Sequence, residues 1–208
     1  MAALPVSYTE VSLDNFHALK KIKKMDGAKL YETQVYTKND DHCQSLLFWT
    51  PSVQFSVKDH GRISLLLPQT DECEQLFDLF CDIDRLIVDI SIERWKRWFQ
   101  EDVTFDDVTD RYKTSLKAGS KREEGRIINM KLGNNFRHKL GDTVGDSTQL
   151  KDGRGLVLVE LKRLVFGKSN FKCDYIIHQI QEERIEVEPS EIGDDEPLYF
   201  ESEEWVSP

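Results

Sequence analysis

The residues with chemistry to offer are concentrated between positions 111 and 172. That stretch holds fifteen Lys or Arg against six acids, a balance of plus nine in a 208-residue chain whose net charge is −10. Its cations lie among apolar, strand-like runs at 127–132 and 156–166, with Tyr112, Phe136, Phe166 and Phe171 between them. Phosphates call for cations and unpaired bases for flat apolar faces, so cations and aromatics interleaved on strands point to single-stranded nucleic acid.

A second constellation points to an enzyme. Glu160-Leu161-Lys162 has the E-x-K form of the PD-(D/E)xK metal-dependent nucleases, with Asp152 or Asp146 upstream as a second carboxylate for Mg²⁺. Strand alternation puts Glu160 and Lys162 on one face. The motif is short and common by chance, and no Pro precedes Asp152. The five histidines have no nucleophile or metal partner at a readable spacing, and no P-loop, G-x-S-x-G or H-E-x-x-H motif occurs. The expectation is a binding protein with no catalytic residues, cofactor or metal. The nuclease (Asp152, Glu160, Lys162) and a protein-binding scaffold without nucleic-acid affinity are the alternatives.

The elements that must position these groups follow from periodicity. Residues 28–67 read as short strands with polar turns at 39–41 and 59–61. In the first strand Tyr31, Thr33 and Val35 share one face, and Glu32, Gln34 and Tyr36 the other. Phe48, Trp49 and Phe55 are core or stacking candidates. Asp71 and Glu74 suggest a helix start, and Cys73, Leu76, Phe77, Phe80, Ile83 and Ile87 keep helical spacing. A second helical run covers 88–100, with Trp95 and Phe99 on its apolar stripe and Trp98 off it; a short turn follows at 105–112. Strands resume at 126–132 and in a hairpin of 156–166 with 171–180. The Gly-, Asp- and Asn-rich stretch 133–155 reads as a long mobile loop. In 156–166 the inward set is Val157, Val159, Leu161, Arg163 and Val165, so Lys162 and Phe166 face outward together. The fold expectation is mainly β with a helical insertion at about 70–112 (α+β), an OB-fold-like small barrel over residues 1–185.

Charge divides the chain sharply. Residues 186–208 contain nine acids and no base, and residues 71–110 have a balance of minus nine. The 186–208 segment loses periodicity and reads as a disordered acidic tail, with Tyr199, Phe200 and Trp205 among Asp194, Asp195, Glu196, Glu203 and Glu204. Cys43, Cys73, Cys81 and Cys173 have no zinc spacing and suggest reduced thiols in an intracellular compartment. Neither a signal peptide nor an apolar run of membrane-spanning length is expected.

This order of elements resembles the single-stranded DNA-binding proteins of T7-like phages and of large DNA viruses, which have an OB-fold barrel, a helical insertion and an acidic C-terminal tail with an aromatic. The resemblance is carried by Tyr112-Lys113-Thr114-Ser115-Leu116 after the helices, the strand at 126–132, the hairpin of 156–167 with 170–179, and the tail to Trp205. It covers most of residues 28–208 as a plan of elements. It departs at the end, where Val206, Ser207 and Pro208 follow Trp205 and the phage-type tail closes on an aromatic. The resemblance implies sequence-independent coating of single strands in viral-type replication, recombination or repair, in the host nucleus or a cytoplasmic replication site. It places Lys113, Lys117, Lys121, Arg122, Arg126, Lys131, Arg137 and Lys139 on phosphates, with Lys162 and Lys168 as further basic contacts. It places one or more of Trp49, Tyr112, Phe136, Phe166 and Phe171 on bases. The tail would compete for the DNA groove and recruit a polymerase or helicase, and a homodimer is compatible with the plan.

Overall fold

The computed structural model describes residues 5–19, 21–25, 30–39, 42–118, 125–141 and 143–183. In chain order its strands are β1 (Val6–Ser7), β2 (Phe16–Ala18), β3 (Lys23–Lys24), β4 (Tyr31–Asn39), β5 (His42–Gln44), β6 (Leu46–Trp49), β7 (Val53–Lys58), β8 (Arg62–Leu67), β9 (Leu116–Ala118), β10 (Arg126–Leu140), β11 (Thr143–Gly145), β12 (Gly153–Phe166) and β13 (Phe171–Glu182). Helices α1 (Asp71–Phe99) and α2 (Phe105–Arg111) lie between β8 and β9.

Alternation builds the first hairpin. Val53 and Phe55 on β7, and Ile63, Leu65 and Leu67 on β8, are buried, while Arg62, Ser64 and Leu66 face the other way. The turn between them needs left-handed backbone at His60 (φ 62°) and Gly61 (φ 65°). β8 pairs antiparallel with β10, β10 parallel with β13, β13 antiparallel with β12, and β12 antiparallel with β7. The ring therefore closes on five strands. Counted within the ring, their order is first, second, third, fifth, fourth and back to first: a mixed, OB-fold-like Greek-key barrel. Closure occurs at Gly155, which pairs with both Val53 and Glu182. A Cβ there would lie 2.2 Å from the Gln181 carbonyl oxygen, so the three strands can meet only at a glycine.

The helical insertion packs over β6, β12 and β13. Thr70 caps α1 by accepting from the Cys73 amide at 3.4 Å, one residue before the expected Asp71. Acids Asp71, Glu72 and Glu74 fill the first turn and Lys96 and Arg97 the last, and Gln100 ends the helix in the left-handed region. The two expected helical runs are one helix of 29 residues. Its buried stripe (Cys73, Leu76, Phe80, Ile83, Ile87, Trp95 and Trp98) runs unbroken through the assumed boundary at 87–88. Trp98 belongs to that stripe, with its indole N–H donating to the Leu19 carbonyl at 3.2 Å. No helix among the described residues is long and apolar enough to cross a membrane.

Two strand expectations are corrected. The region from Gly133 does not open a long loop: β10 continues to Leu140 and turns into β11. The period there is carried by Phe136 and His138, both buried, and the polar His138 is satisfied by Glu182 at 2.6 Å. In β12 the inward face changes along the strand, because the register with β13 shifts between Leu158 and Val159 and again between Leu161 and Arg163. Val157, Val159 and Leu161 are buried as expected, but beyond the second shift Leu164 and Phe166 turn inward, so Phe166 does not face out with Lys162. The acidic segment 186–208, Lys121 and Arg122 lie outside the described residues.

Candidate nucleic-acid interface

The outward face of the first three barrel strands is laid out in rows, because directly paired residues point to the same side. Lys58 pairs with Arg62, and Arg62 pairs with Lys131, giving three cations side by side on β7, β8 and β10. The next row outward is Ser56, Ser64 and Asn129, where the Ser64 hydroxyl donates to Asn129 Oδ1 at 2.7 Å. The third is Gln54, Leu66 and Ile127.

A second wall brings more charge to the cationic row. Beyond α2 the chain is pinned at three points. The Lys113 amide donates to the Phe171 carbonyl at 2.8 Å, the Tyr112 hydroxyl donates to Asp84 on α1, and the Thr114 hydroxyl donates to the other Asp84 oxygen at 2.6 Å. β9 then pairs with the start of β10. Lys113 and Lys117 are thereby held opposite the cationic row, and Lys172 enters from β13. Lys58, Arg62, Lys113, Lys117, Lys131 and Lys172 line one cleft of about 690 Å³. Its carboxylate, Asp174, accepts from Arg163 Nε at 2.9 Å and lies 3.7 Å from Lys131 Nζ. Arg163 is also paired with Glu32 at 2.5 Å, so Asp174 is held within a part-buried network while the other cleft cations face solvent. The cleft continues into a groove of about 870 Å³ that shares Lys58, Ser64, Lys117 and Asn129 with it and runs on to Leu66, Ile127 and Arg154. Together they form a trough along the second and third barrel strands, basic at one end and mixed at the other, where Leu66 and Ile127 sit with Arg154, Asp152 and Glu183.

Burial shifts the titratable groups beneath the cleft away from their ordinary values. Burial pushes the Cys173 thiol up to about 12, and the Tyr112 phenol is likewise raised by burial and by the anionic groups around it. Burial also raises the Asp84 carboxyl, against the lowering pull of hydrogen bonds from Thr114 and Tyr112.

The structure brings Lys113, Lys117 and Lys131 together and leaves the other described sequence candidates apart. Arg126 lies at the far end of the β8–β10 ladder, its guanidinium 5.3 Å from the Phe77 ring centroid. Arg137 and Lys139 follow the irregularity in β10, roughly 20 Å along the strand from Lys131. Lys162 is exposed on β12, and Lys168 sits in the β12–β13 turn. Phe136, Phe166 and Phe171 are buried, with Phe166 and Phe171 stacked at 5.3 Å in the core. Tyr112 packs on Phe171 at 5.2 Å, and Trp49 is half-buried on β6. The tail residues Asp194, Asp195, Glu196, Tyr199, Phe200, Glu203, Glu204 and Trp205 lie outside the described residues.

The carboxylates of the nuclease alternative have partners within the fold. The Asp152 carboxylate accepts from the Val57 amide at 2.7 Å, and Glu160 is paired with His178 at 2.7 Å. Asp152 precedes β12 and Glu160 lies within it, while the Asp146 carboxylate accepts from the Thr148 amide at 2.8 Å and the Thr148 hydroxyl at 2.6 Å. Among the described residues no three His, Cys, Asp or Glu side chains converge as metal ligands would.

Sequence reasoning missed Lys58 and Arg62. The signal was the Asp59-His60-Gly61 turn itself, because residues that flank a tight hairpin turn face each other. No family model matches the chain, and no curated protein matches it.

Proposed function

We propose that this protein binds single-stranded DNA without regard to sequence, in replication, recombination or repair of the viral type, through the trough on the second and third barrel strands. The observation that carries the reading is the row Lys58, Arg62 and Lys131, joined by Lys113, Lys117 and Lys172 in one cleft. A small barrel of this topology binds oligonucleotides on the same face. Cations meeting phosphates supply affinity but no base readout, which makes the binding sequence-independent.

The net acidity of the chain is compatible with this role because charge is segregated. The cleft collects cations, whereas the exposed side of α1 carries Glu72, Glu74, Asp78, Asp82, Asp89 and Glu93. The nine acids of residues 186–208 suit a competitor for the same cleft and a contact for a polymerase or helicase.

Fluorescence anisotropy with labelled single- and double-stranded oligonucleotides at two salt concentrations tests the reading. It expects single strands to bind more tightly than duplex and binding to weaken as salt rises. Absence of binding to either probe would instead favour a protein-binding scaffold.

A further inference from the structure

Beside the β12–β13 turn, Gly167 to Asn170, lies a separate cavity of about 360 Å³ lined by Tyr31, Trp95, Phe99, Arg111, Phe166 and Lys168, among others. That is the lower end of the range for small-molecule sites, ~300–1,000 Å³. Its walls are aromatic faces and edges. Tyr31 meets Phe99 edge-on at 6.3 Å, and Phe99 packs on Trp95 at 4.7 Å and on Phe166 at 5.3 Å. Tyr31 is 41% exposed although its ring belongs to this cluster. The Arg111 guanidinium lies 5.3 Å from the Trp95 centroid, its orientation fixed by Glu101 at 3.5 Å. Glu101 also accepts from the Trp95 indole N–H at 3.5 Å.

We infer that this cavity takes one unpaired base of the strand that crosses the basic cleft. The inference rests on the single-strand reading above and adds a stacking site to it. Three observations select a base over other planar apolar groups. Asn170 lines both the cavity and the cleft, so a strand leaving Lys172 arrives at the cavity without crossing other surface. The rim is cationic: Lys168 is on the turn, Arg111 on one wall, and Lys24 on β3 is directly paired to Tyr31. Phosphates on either side of an inserted base therefore meet positive charge. Lastly, the other aromatics near the cleft are occupied: Phe171 is buried and Tyr112 is tied to Asp84 and Phe171, which leaves Tyr31 as the accessible ring of this cluster. Bases stack on aromatic rings and on Arg planes alike, whatever their sequence.

The test compares the full chain with its Tyr31→Ala and Tyr31→Phe variants. The probes are an oligothymidylate and an abasic deoxyribose-phosphate strand of equal length. Tyr31→Ala should weaken the base-bearing strand by about five- to 150-fold and leave the abasic strand unchanged, and Tyr31→Phe should restore binding. A 5-iodouracil strand photocrosslinked to the unaltered chain should mark Tyr31 or Phe99, a readout independent of how the variants fold. If the unaltered chain binds but Tyr31→Ala binds equally well, or crosslinks fall in the cleft alone, the stacking site is overturned and the cleft reading stands. If the unaltered chain binds neither strand, both readings fall. If Tyr31→Ala loses affinity for a synthetic peptide of residues 184–208 but keeps its affinity for DNA, the cavity takes a peptide aromatic and the inference is overturned.

Discussion

Arg62 and Lys131 stand directly opposite each other across the β8–β10 ladder, and Arg62 also stands opposite Lys58 on β7. Like charges in cross-strand register destabilise a sheet by roughly 0.2–1 kcal/mol per pair. Lys131 has Asp174 within 3.7 Å, whereas Arg62 makes no ion pair among the described residues. Arg62→Thr should therefore raise stability by up to about 1 kcal/mol while weakening single-strand binding. Urea denaturation and anisotropy on the same variant check both directions. A variant that is less stable, or that binds as well as the parent, contradicts the role given to Arg62.

The barrel depends on a close approach at Gly155, and Gly155→Ala tests it. The added Cβ would press on the Gln181 carbonyl at 2.2 Å and on Glu182 Cα at 2.8 Å, both backbone atoms of β13. Relieving that contact must part β12 from β13 or from β7, with an expected loss of about 1–3 kcal/mol. A chemical-denaturation midpoint equal to that of the parent would show that the ring does not close there.

The half-buried Asp84 gives stability a pH signature. Burial holds its carboxyl above the ordinary value even though Thr114 and Tyr112 hydrogen-bond to it. An acid whose pKa is higher folded than unfolded binds more protons in the folded state. Its contribution favours folding at low pH and is lost as pH rises from about 3.9, the unfolded value, through the raised folded one. Asn carries no charge at any of these values. The stability of Asp84→Asn relative to the parent should thus increase as pH rises from about 4 towards neutrality. Urea unfolding of both proteins over that range measures the difference, and a flat or falling difference contradicts the assignment.

Removing residues 186–208 takes away nine acids and no base. If that segment competes for the cleft, the shortened chain should bind a single strand more tightly at low salt, and the gain should shrink as salt screens it. Equal or weaker binding at low salt would mean that the segment does not act as a competitor.

The parts of the fold most legible in sequence were those set by local periodicity. The β7–β8 hairpin and the apolar stripe of α1 carry their burial pattern in plain alternation and in helical spacing. Phe166 was misplaced because a register shift between Leu161 and Arg163 reverses the face of β12, and nothing local in Leu-Lys-Arg-Leu marks that shift. The far half of β10 was hidden because its inward residues are Phe136 and His138, and a buried His paired to Glu182 looks polar when read alone. The site was legible in half. Lys113, Lys117 and Lys131 stood in the basic stretch, but Lys58 and Arg62 lie some fifty or more residues away and join them only through the β7–β8–β10 pairing. Arg126, Arg137 and Lys139 belong to the same stretch, yet strand geometry carries them away from the cleft.

The cationic row is the centre of the account, and its most direct test is the salt dependence of binding by Lys58→Gln/Arg62→Gln/Lys131→Gln beside the parent. For single strands log K falls with log salt with a slope of about −0.7 per phosphate neutralised. If the three side chains each meet a phosphate, the variant's slope should be shallower by about 2, with affinity reduced most at low salt. A parent and variant with the same slope would place the phosphates elsewhere and contradict a phosphate-binding role for the row.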